Sequence, residues 1–192
     1  AIRDQGGVLL KNGERVMLDP ILVGRNGAKI EEIAKKHNVA RWTTDIDAAL
    51  ANPDDTLFFD AGTTQMRGSL LEKAIKAGKN VYCEKPISDT MEEALAIARL
   101  AESAGIKHGV VQDKLFLPGL RKLALLRDSG FFGRILSVRG EFGYWVFEGD
   151  WPAAHPPSCN FRTADGRGPL PSMLSLCPYL LSHLFRAVQA LS

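Results

Sequence analysis

The sequence predicts an α/β fold: a doubly wound parallel sheet, followed by the start of an α+β domain with an antiparallel sheet. Three observations carry this reading. Short apolar runs alternate with amphipathic helical segments between Asp19 and Gln112. The hydrophobic period then becomes strict alternation, with Leu136, Val138, Phe142, Tyr144 and Val146 interleaved with Ser137, Arg139, Glu141 and Trp145. Finally, residues 149–192 hold six of the ten prolines but only five charged residues, Asp150, Arg162, Asp165, Arg167 and Arg186. The architecture changes near Lys114 to Pro118, so a first domain is expected over 1–114 and a second over 115–192.

Each element has its own signal. Asp19 to Gly24 is an apolar run closed by turn residues, hence a buried strand. From Ala28 to His37, Ile30, Ile33 and Ala34 share one face while Glu31, Glu32, Lys35 and Lys36 lie elsewhere, which makes an amphipathic helix. Asp45 can cap a short helix through Leu50. Asp55 to Asp60 reads as a strand, Ser69 to Lys76 as a helix stopped by Gly78, and Asn80 to Cys83 as a strand. Asp89 and Thr90, each with a glutamate three residues on, form overlapping capping boxes. They start a helix with Leu95, Ile97, Ala98 and Leu100 as its apolar contacts and Gly105 as its end. His108 to Gln112 is a fourth strand, and Pro118 opens a helix that runs to Ser129 and stops at Gly130.

Composition narrows the function classes. The 192 residues carry 24 Lys+Arg against 22 Asp+Glu, a net +2, too balanced for a nucleic-acid footprint or a membrane-surface patch. Hydrophobic content of 45% and charged content of 24% are those of an ordinary globular protein rather than a disordered one. No apolar run is long enough to span a bilayer. Cys83, Cys159 and Cys177 are odd in number and far apart, which excludes a disulfide scaffold and fits a reducing cytoplasm. No metal site is expected, since His155 and His183 have no partner at ligand spacing, and His37 and His108 read as structural. Trp145 and Trp151, near Phe142, Tyr144 and Phe147, read as core packing, with a sugar-stacking surface as the alternative.

A parallel βα sheet binds ligands at the carboxyl ends of its strands. Those ends are Gly24-Arg25-Asn26, Ala61-Gly62-Thr63-Thr64-Gln65, Glu84-Lys85-Pro86 and Gln112-Asp113-Lys114, all polar or glycine-rich although the strands feeding them are apolar. A nucleotide-binding sheet of this kind opens with a strand and a Gly-x-Gly-x-x-Gly turn whose amides hold the pyrophosphate. That turn is absent from this sequence: Gly24 and Gly27 are too few, and Gly166-Arg167-Gly168 sits in the proline-rich part.

The residues Ala77-Gly-Lys-Asn-Val-Tyr-Cys-Glu-Lys-Pro86 resemble the Ala-Gly-Lys-His-Val-x-x-Glu-Lys-Pro signature of the Gfo/Idh/MocA family. These are NAD(P)-dependent oxidoreductases related to glucose–fructose oxidoreductase and inositol dehydrogenase. Leu126 to Ile135 is similar to the family's L-x-x-S-G-x-I-G-x-I, and Ser137-Val-Arg139 then begins the long strand of its second domain. The likeness covers about residues 19 to 150 and implies a Rossmann domain followed by an open-sheet α/β domain, in chains about twice this length. By that resemblance the sequence is expected to be an interior piece, without the first strand and its glycine loop; the missing initiator Met agrees.

The resemblance implies hydride transfer between a nicotinamide and a sugar or polyol, in homo-oligomers that bind neither nucleic acid nor membrane. It makes Lys85 the catalytic residue, beside the nicotinamide and the reacting carbinol, and Glu84 a contact of the nicotinamide ribose or amide. An ammonium can hydrogen-bond the hydroxyl and stabilise charge as hydride departs. Gly24, Arg25 and Asn26 end the strand that would reach the adenosine ribose. With no acid there and Arg25 able to pair with a 2′-phosphate, NADP is expected over NAD. Ala61, Gly62, Thr63 and Gln65 stand where the family more often has Thr-Pro-Asn; the glycine still permits close approach to a cofactor. Gln112 borders the nicotinamide end.

One part of the pattern breaks. Similar family members carry an Asp and, four residues later, a His on one helix face. Here Ser172 and Leu176 occupy those positions, and Pro178 interrupts a helix. The implied proton acceptor is missing, which leaves two alternatives open beside an impaired dehydrogenase: a non-catalytic family member, and a small-molecule-binding regulatory protein on the same fold.

Overall fold

A computed structural model describes residues 2–3, 5–139 and Ser182. The expectations for the strand beyond Arg139, for Ser172 and Leu176, and for His155, His183 and the tryptophans at 145 and 151 lie outside the described residues. The elements run β1 (Val8–Leu9), β2 (Arg15–Val16), β3 (Ile21–Val23), α1 (Gly27–Lys36), β4 (Arg41–Thr43), α2 (Ile46–Ala51), β5 (Leu57–Asp60), α3 (Thr64–Lys76), β6 (Asn80–Cys83), α4 (Met91–Ser103), β7 (His108–Val110), a 3-10 turn (Asp113–Phe116) and α5 (Pro118–Asp128). None of these helices is long and apolar enough to cross a membrane.

The chain divides into two compact units. One comprises Ala1–Ala61, Ser69–Tyr82 and Ile97–Gly109; the other comprises Gly62–Gly68, Cys83–Ala96 and the chain from Val110 on. In the first unit β3 and β4 pair in parallel, Ile21 opposite Arg41 and Val23 opposite Thr43. Strands β5, β6 and β7 form a second sheet in that order. Its bonds Val81 N–H to Lys107 O and Val111 N–H to Cys83 O advance together along both strands, which is the parallel arrangement. The antiparallel pair is β1–β2, a hairpin around Asn12-Gly13, with Gly13 at φ +83°.

The α/β alternation is as the sequence predicts, with six differences. The β1–β2 hairpin and strand β4 have no counterpart in the sequence reading. Helix α3 begins at Thr64, five residues before the expected Ser69, because Thr64, Arg67, Leu71 and Ala74 with Ile75 form one buried face. Thr64 and Gln65 are therefore first-turn helical residues, not loop. Strand β5 is half exposed rather than buried, with Leu57 at 59% and Phe59 at 52%; the Phe59 and Tyr82 rings meet at 5.9 Å. In α4 the buried contacts are Ile97 and Ala101, while Leu95 is exposed. Residues 135–139, where the long alternating strand is expected to begin, form no strand.

Two of the expected caps and two of the expected stop glycines behave as predicted. Asp45 Oδ1 accepts Ala48 N–H at 3.0 Å, and Thr90 Oγ1 accepts Glu93 N–H at 3.2 Å. Gly78 and Gly105 close α3 and α4 at φ +72° and +65°. Signature residue Lys79 is buried, and its Nζ donates to Asn52 O at 2.5 Å. It ties the end of α2 to the start of β6.

The first unit is stapled by Arg41. Its guanidinium donates to both Asp55 oxygens, at 2.9 and 2.7 Å, and to Asp19 O at 2.7 Å. Asn52 Nδ2 adds a bond to Asp55 Oδ2 at 2.8 Å. The hydrogen bonds from Arg41, with desolvation opposing them, hold the Asp55 carboxyl below the usual range. A lowered folded pKa gives stability that is present above the ordinary value of about 3.9 and is lost as pH falls through the folded one. Asp55→Asn is expected to lower the thermal midpoint at neutral pH by about 3–6 °C and to flatten the acid side of the stability profile. Equal midpoints in circular-dichroism melts at neutral pH would show that the pair contributes nothing.

Candidate active site

The predicted site residues follow the ends of β3, β5, β6 and β7, except Gln65 in the first turn of α3, and they distribute over both compact units. In the first unit Gly24 follows β3, and its N–H donates to Thr43 O at 3.2 Å. A Cβ on Gly24 would stand 3.1 Å from Ile30 Cδ1, so the glycine lets α1 close onto the strand end. Asn26 caps α1, its Oδ1 accepting Lys29 N–H at 3.1 Å. That bond gives Asn26 a structural role the sequence reading did not assign. Arg25 is exposed, and its guanidinium has no hydrogen-bond partner among the described residues. Ala61, directly after β5, is exposed.

The second unit gathers Gly62, Thr63, Gln65, Glu84, Lys85 and Gln112. Strand β6 delivers buried Cys83 and then turns at Glu84-Lys85-Pro86, with a cis Lys85–Pro86 peptide. The Lys85 N–H donates to Glu84 Oε2 at 3.3 Å. The Lys85 side chain is exposed, and its ammonium meets no acceptor among the described residues. Beyond the turn, Ser88 Oγ donates to Thr90 O at 2.5 Å and commits the chain to α4. After β7, Val111 N–H donates to Cys83 O at 2.8 Å, which holds the start of the Gln112 segment against the end of β6. Gln112 is half-buried, its amide has no hydrogen-bond partner among the described residues, and its carbonyl accepts Leu115 N–H at 3.2 Å. Lys114 pairs with its neighbour Asp113 at 2.9 Å; that hydrogen bond lowers the Asp113 pKa.

One residue of this unit escaped the sequence reading. Arg67 is 2% exposed. Its guanidinium donates to Gly62 O at 2.7 Å, to Thr64 Oγ1 at 3.4 Å and to Pro86 O. It thus joins the loop before α3 to the Lys85–Pro86 turn. The available signal was the four-residue spacing of Arg67, Leu71 and Ile75, which puts the arginine on the buried helix face.

Among the described residues, the Gln65 and Gln112 amides and the Lys85 ammonium of the second unit have no hydrogen-bond partner, nor does the Arg25 guanidinium of the first. Within the second unit, the ammonium and the two amides can hydrogen-bond a hydroxyl-bearing or amide-bearing ligand.

Residues 10–111 match the family described as "Oxidoreductase family, NAD-binding Rossmann fold", Gfo/Idh/MocA, and the chain belongs to that family. Among individual relatives, the D-xylose dehydrogenase of Paenarthrobacter nicotinovorans is 51% identical over 191 residues, covering 100% of this chain and 49% of that protein. The levoglucosan dehydrogenase of Pseudarthrobacter phenanthrenivorans is 27% identical over 177 residues, 88% of this chain and 44% of that protein. A solved apo form of levoglucosan dehydrogenase superimposes with a TM-score of 0.74 at 25% identity, over 87% of this chain and 43% of that one. The chain spans about half the length of these relatives.

Proposed function

We propose that the protein is an NAD(P)-dependent dehydrogenase that moves hydride between a nicotinamide cofactor and a sugar, with D-xylose the first substrate to test. The observation that carries this is the 51% identity to a D-xylose dehydrogenase along the whole chain. The exposed, unpartnered Lys85 ammonium at the end of β6 supplies the matching chemistry. When bound, the nicotinamide accepts the hydride leaving the carbinol carbon. Lys85 donates a hydrogen bond to the carbinol oxygen and offsets its negative charge as the carbonyl forms. Glu84, already accepting from the Lys85 amide, has a second oxygen for a ribose or carboxamide donor. Thr63, Gln65 and Gln112 orient the nicotinamide end, and Gly24 with Arg25 receives the adenosine ribose. The hydroxyl proton needs an acceptor, and Ser172 and Leu176 offer none. That gap also supports a second reading as a binding protein without turnover. The domain boundary is proposed near Lys114, where the α/β alternation gives way to the 3-10 turn and α5. A cytoplasmic location and homo-oligomeric assembly belong to the same proposal.

The cofactor preference tests the reading. Calorimetric titration of the 192-residue chain should show NADP bound more tightly than NAD, with both weaker than about 1 μM because no glycine loop holds the pyrophosphate. Arg25→Ala should weaken NADP by roughly tenfold and leave NAD unchanged, as loss of one charge-assisted pair implies. A clear NAD preference, or an NADP affinity indifferent to Arg25, rejects the assignment of Arg25. No binding of either cofactor at millimolar concentration rejects nucleotide binding by this chain.

A further inference from the structure

We propose that Arg67 is a positioning residue that locks the Gly62–Thr64 segment to the Lys85–Pro86 turn, so that the cofactor-facing loop and the Lys85 ammonium are held as one body. This rests on the reading of Lys85 as the group that meets the substrate. Three observations carry it. Arg67 is almost fully buried, a position an arginine adopts only when its donors are matched. Its acceptors include two backbone carbonyls far apart in sequence, Gly62 O and Pro86 O. One of these lies beside Thr63 and the other is one residue from Lys85, and both belong to the same compact unit as Arg67.

The planar fork of the guanidinium explains why an arginine stands here. Its terminal nitrogens diverge, NH2 to Gly62 O and NH1 to Pro86 O and Thr64 Oγ1, and so span two chain segments at once. A lysine would offer one nitrogen on a flexible stem and could not hold both carbonyls in this geometry. The bonds run to main-chain oxygens, so they set the path of the backbone rather than one rotamer. Misplacement of a catalytic group by about 1 Å costs on the order of 10²-fold in rate. The brace is therefore expected to register in turnover more than in global stability.

The test uses Arg67→Lys and Arg67→Met with two readouts. In the 192-residue chain, amide hydrogen exchange is followed by mass spectrometry in peptides covering residues 61–66 and 84–88, with 97–110 as the internal reference. Exchange in both loops is expected to rise together by roughly tenfold in Arg67→Lys, the reference staying unchanged. The kinetic readout grafts residues 19–139 into the Paenarthrobacter D-xylose dehydrogenase. There Arg67→Lys should lower kcat by about 10²-fold and raise the primary deuterium isotope effect with D-xylose, while KM for D-xylose moves little. Exchange that rises in one loop only, or equally throughout the chain, overturns the proposal. So does an unchanged kcat, or failure of both variants to fold, which would make Arg67 a general core residue. If Arg67→Met alone fails to fold, Arg67→Lys decides. Lys85→Ala in the same graft separates the two ideas: an unaffected rate removes the Lys85 reading, while the coupled exchange of the two loops still judges the brace.

Discussion

In the residue 19–139 graft, Lys85→Ala is expected to lower kcat for D-xylose oxidation by about 10³-fold while leaving cofactor affinity within roughly threefold of the parent. The ammonium is exposed at the end of β6 and unpartnered among the described residues, so no structural bond is lost with it. The loss falls on the step in which the carbinol oxygen gains negative charge, not on the folded chain. Lys85→Arg keeps the charge but replaces a compact point donor by a broad fork. It should recover no more than about a tenth of the parent rate. A Lys85→Ala graft within threefold of the parent in kcat would remove Lys85 from the mechanism. A collapse of cofactor affinity with unchanged single-turnover rate would make it a binding residue instead.

The parts legible in the sequence are those where local chemistry and the tertiary fold agree. Strand β6 is an apolar run between Gly78 and Pro86, and α4 is announced by Thr90 and closed by Gly105; both stand where expected. Lys85 is proposed from its signature, and the other candidate site residues from a rule about strand ends that needs only the alternation. Strand β4 was hidden because Arg41-Trp-Thr43 is three residues long and opens on a charge. Its justification is the bidentate bond to Asp55, 14 residues away, which no local pattern displays. The hairpin had its signal in Asn12-Gly13, but two-residue strands carry too few side chains for a period to show. The start of α3 was misplaced because Gly62 and Gly68 look like loop punctuation and a buried arginine runs against ordinary burial preference. That same misreading hid Arg67. Its importance depends on carbonyls of residues 62 and 86, and backbone acceptors leave no trace in the identity of the residues that carry them. Asn26 shows the converse: a residue expected at a strand end to contact the cofactor is the N-cap that starts the next helix.

The longer graft should behave differently from the shorter one. Residues 19–192 transplanted into a complete relative that carries the family's Asp and His are expected to give no measurable sugar-dependent reduction of cofactor, although residues 19–139 in the same host do. Alcohol oxidation needs the hydroxyl proton taken up as hydride leaves, and an aligned acid–base pair commonly contributes 10²–10⁴-fold, roughly. Ser172 has no charge to accept that proton at neutral pH, and Leu176 has no titratable group at all. Lys85, protonated to stabilise the alkoxide, cannot serve as the acceptor at the same moment. The 192-residue chain alone should be inactive for the same reason. The absent Gly-x-Gly-x-x-Gly turn adds misplacement of the nicotinamide, for about another 10²-fold. Restoring the pair by Ser172→Asp with Leu176→His in the long graft separates the two causes, since the host supplies the glycine turn. Recovery to within about tenfold of the short graft assigns the loss to proton transfer, and Lys85→Ala should then abolish the recovered rate. If the long graft is as active as its host without those changes, the two positions do not matter to the chemistry. The same conclusion follows if a D-xylose dehydrogenase bearing serine and leucine there turns over D-xylose normally. The proton would then leave by another group, and the reading of this chain as catalytically impaired would be wrong.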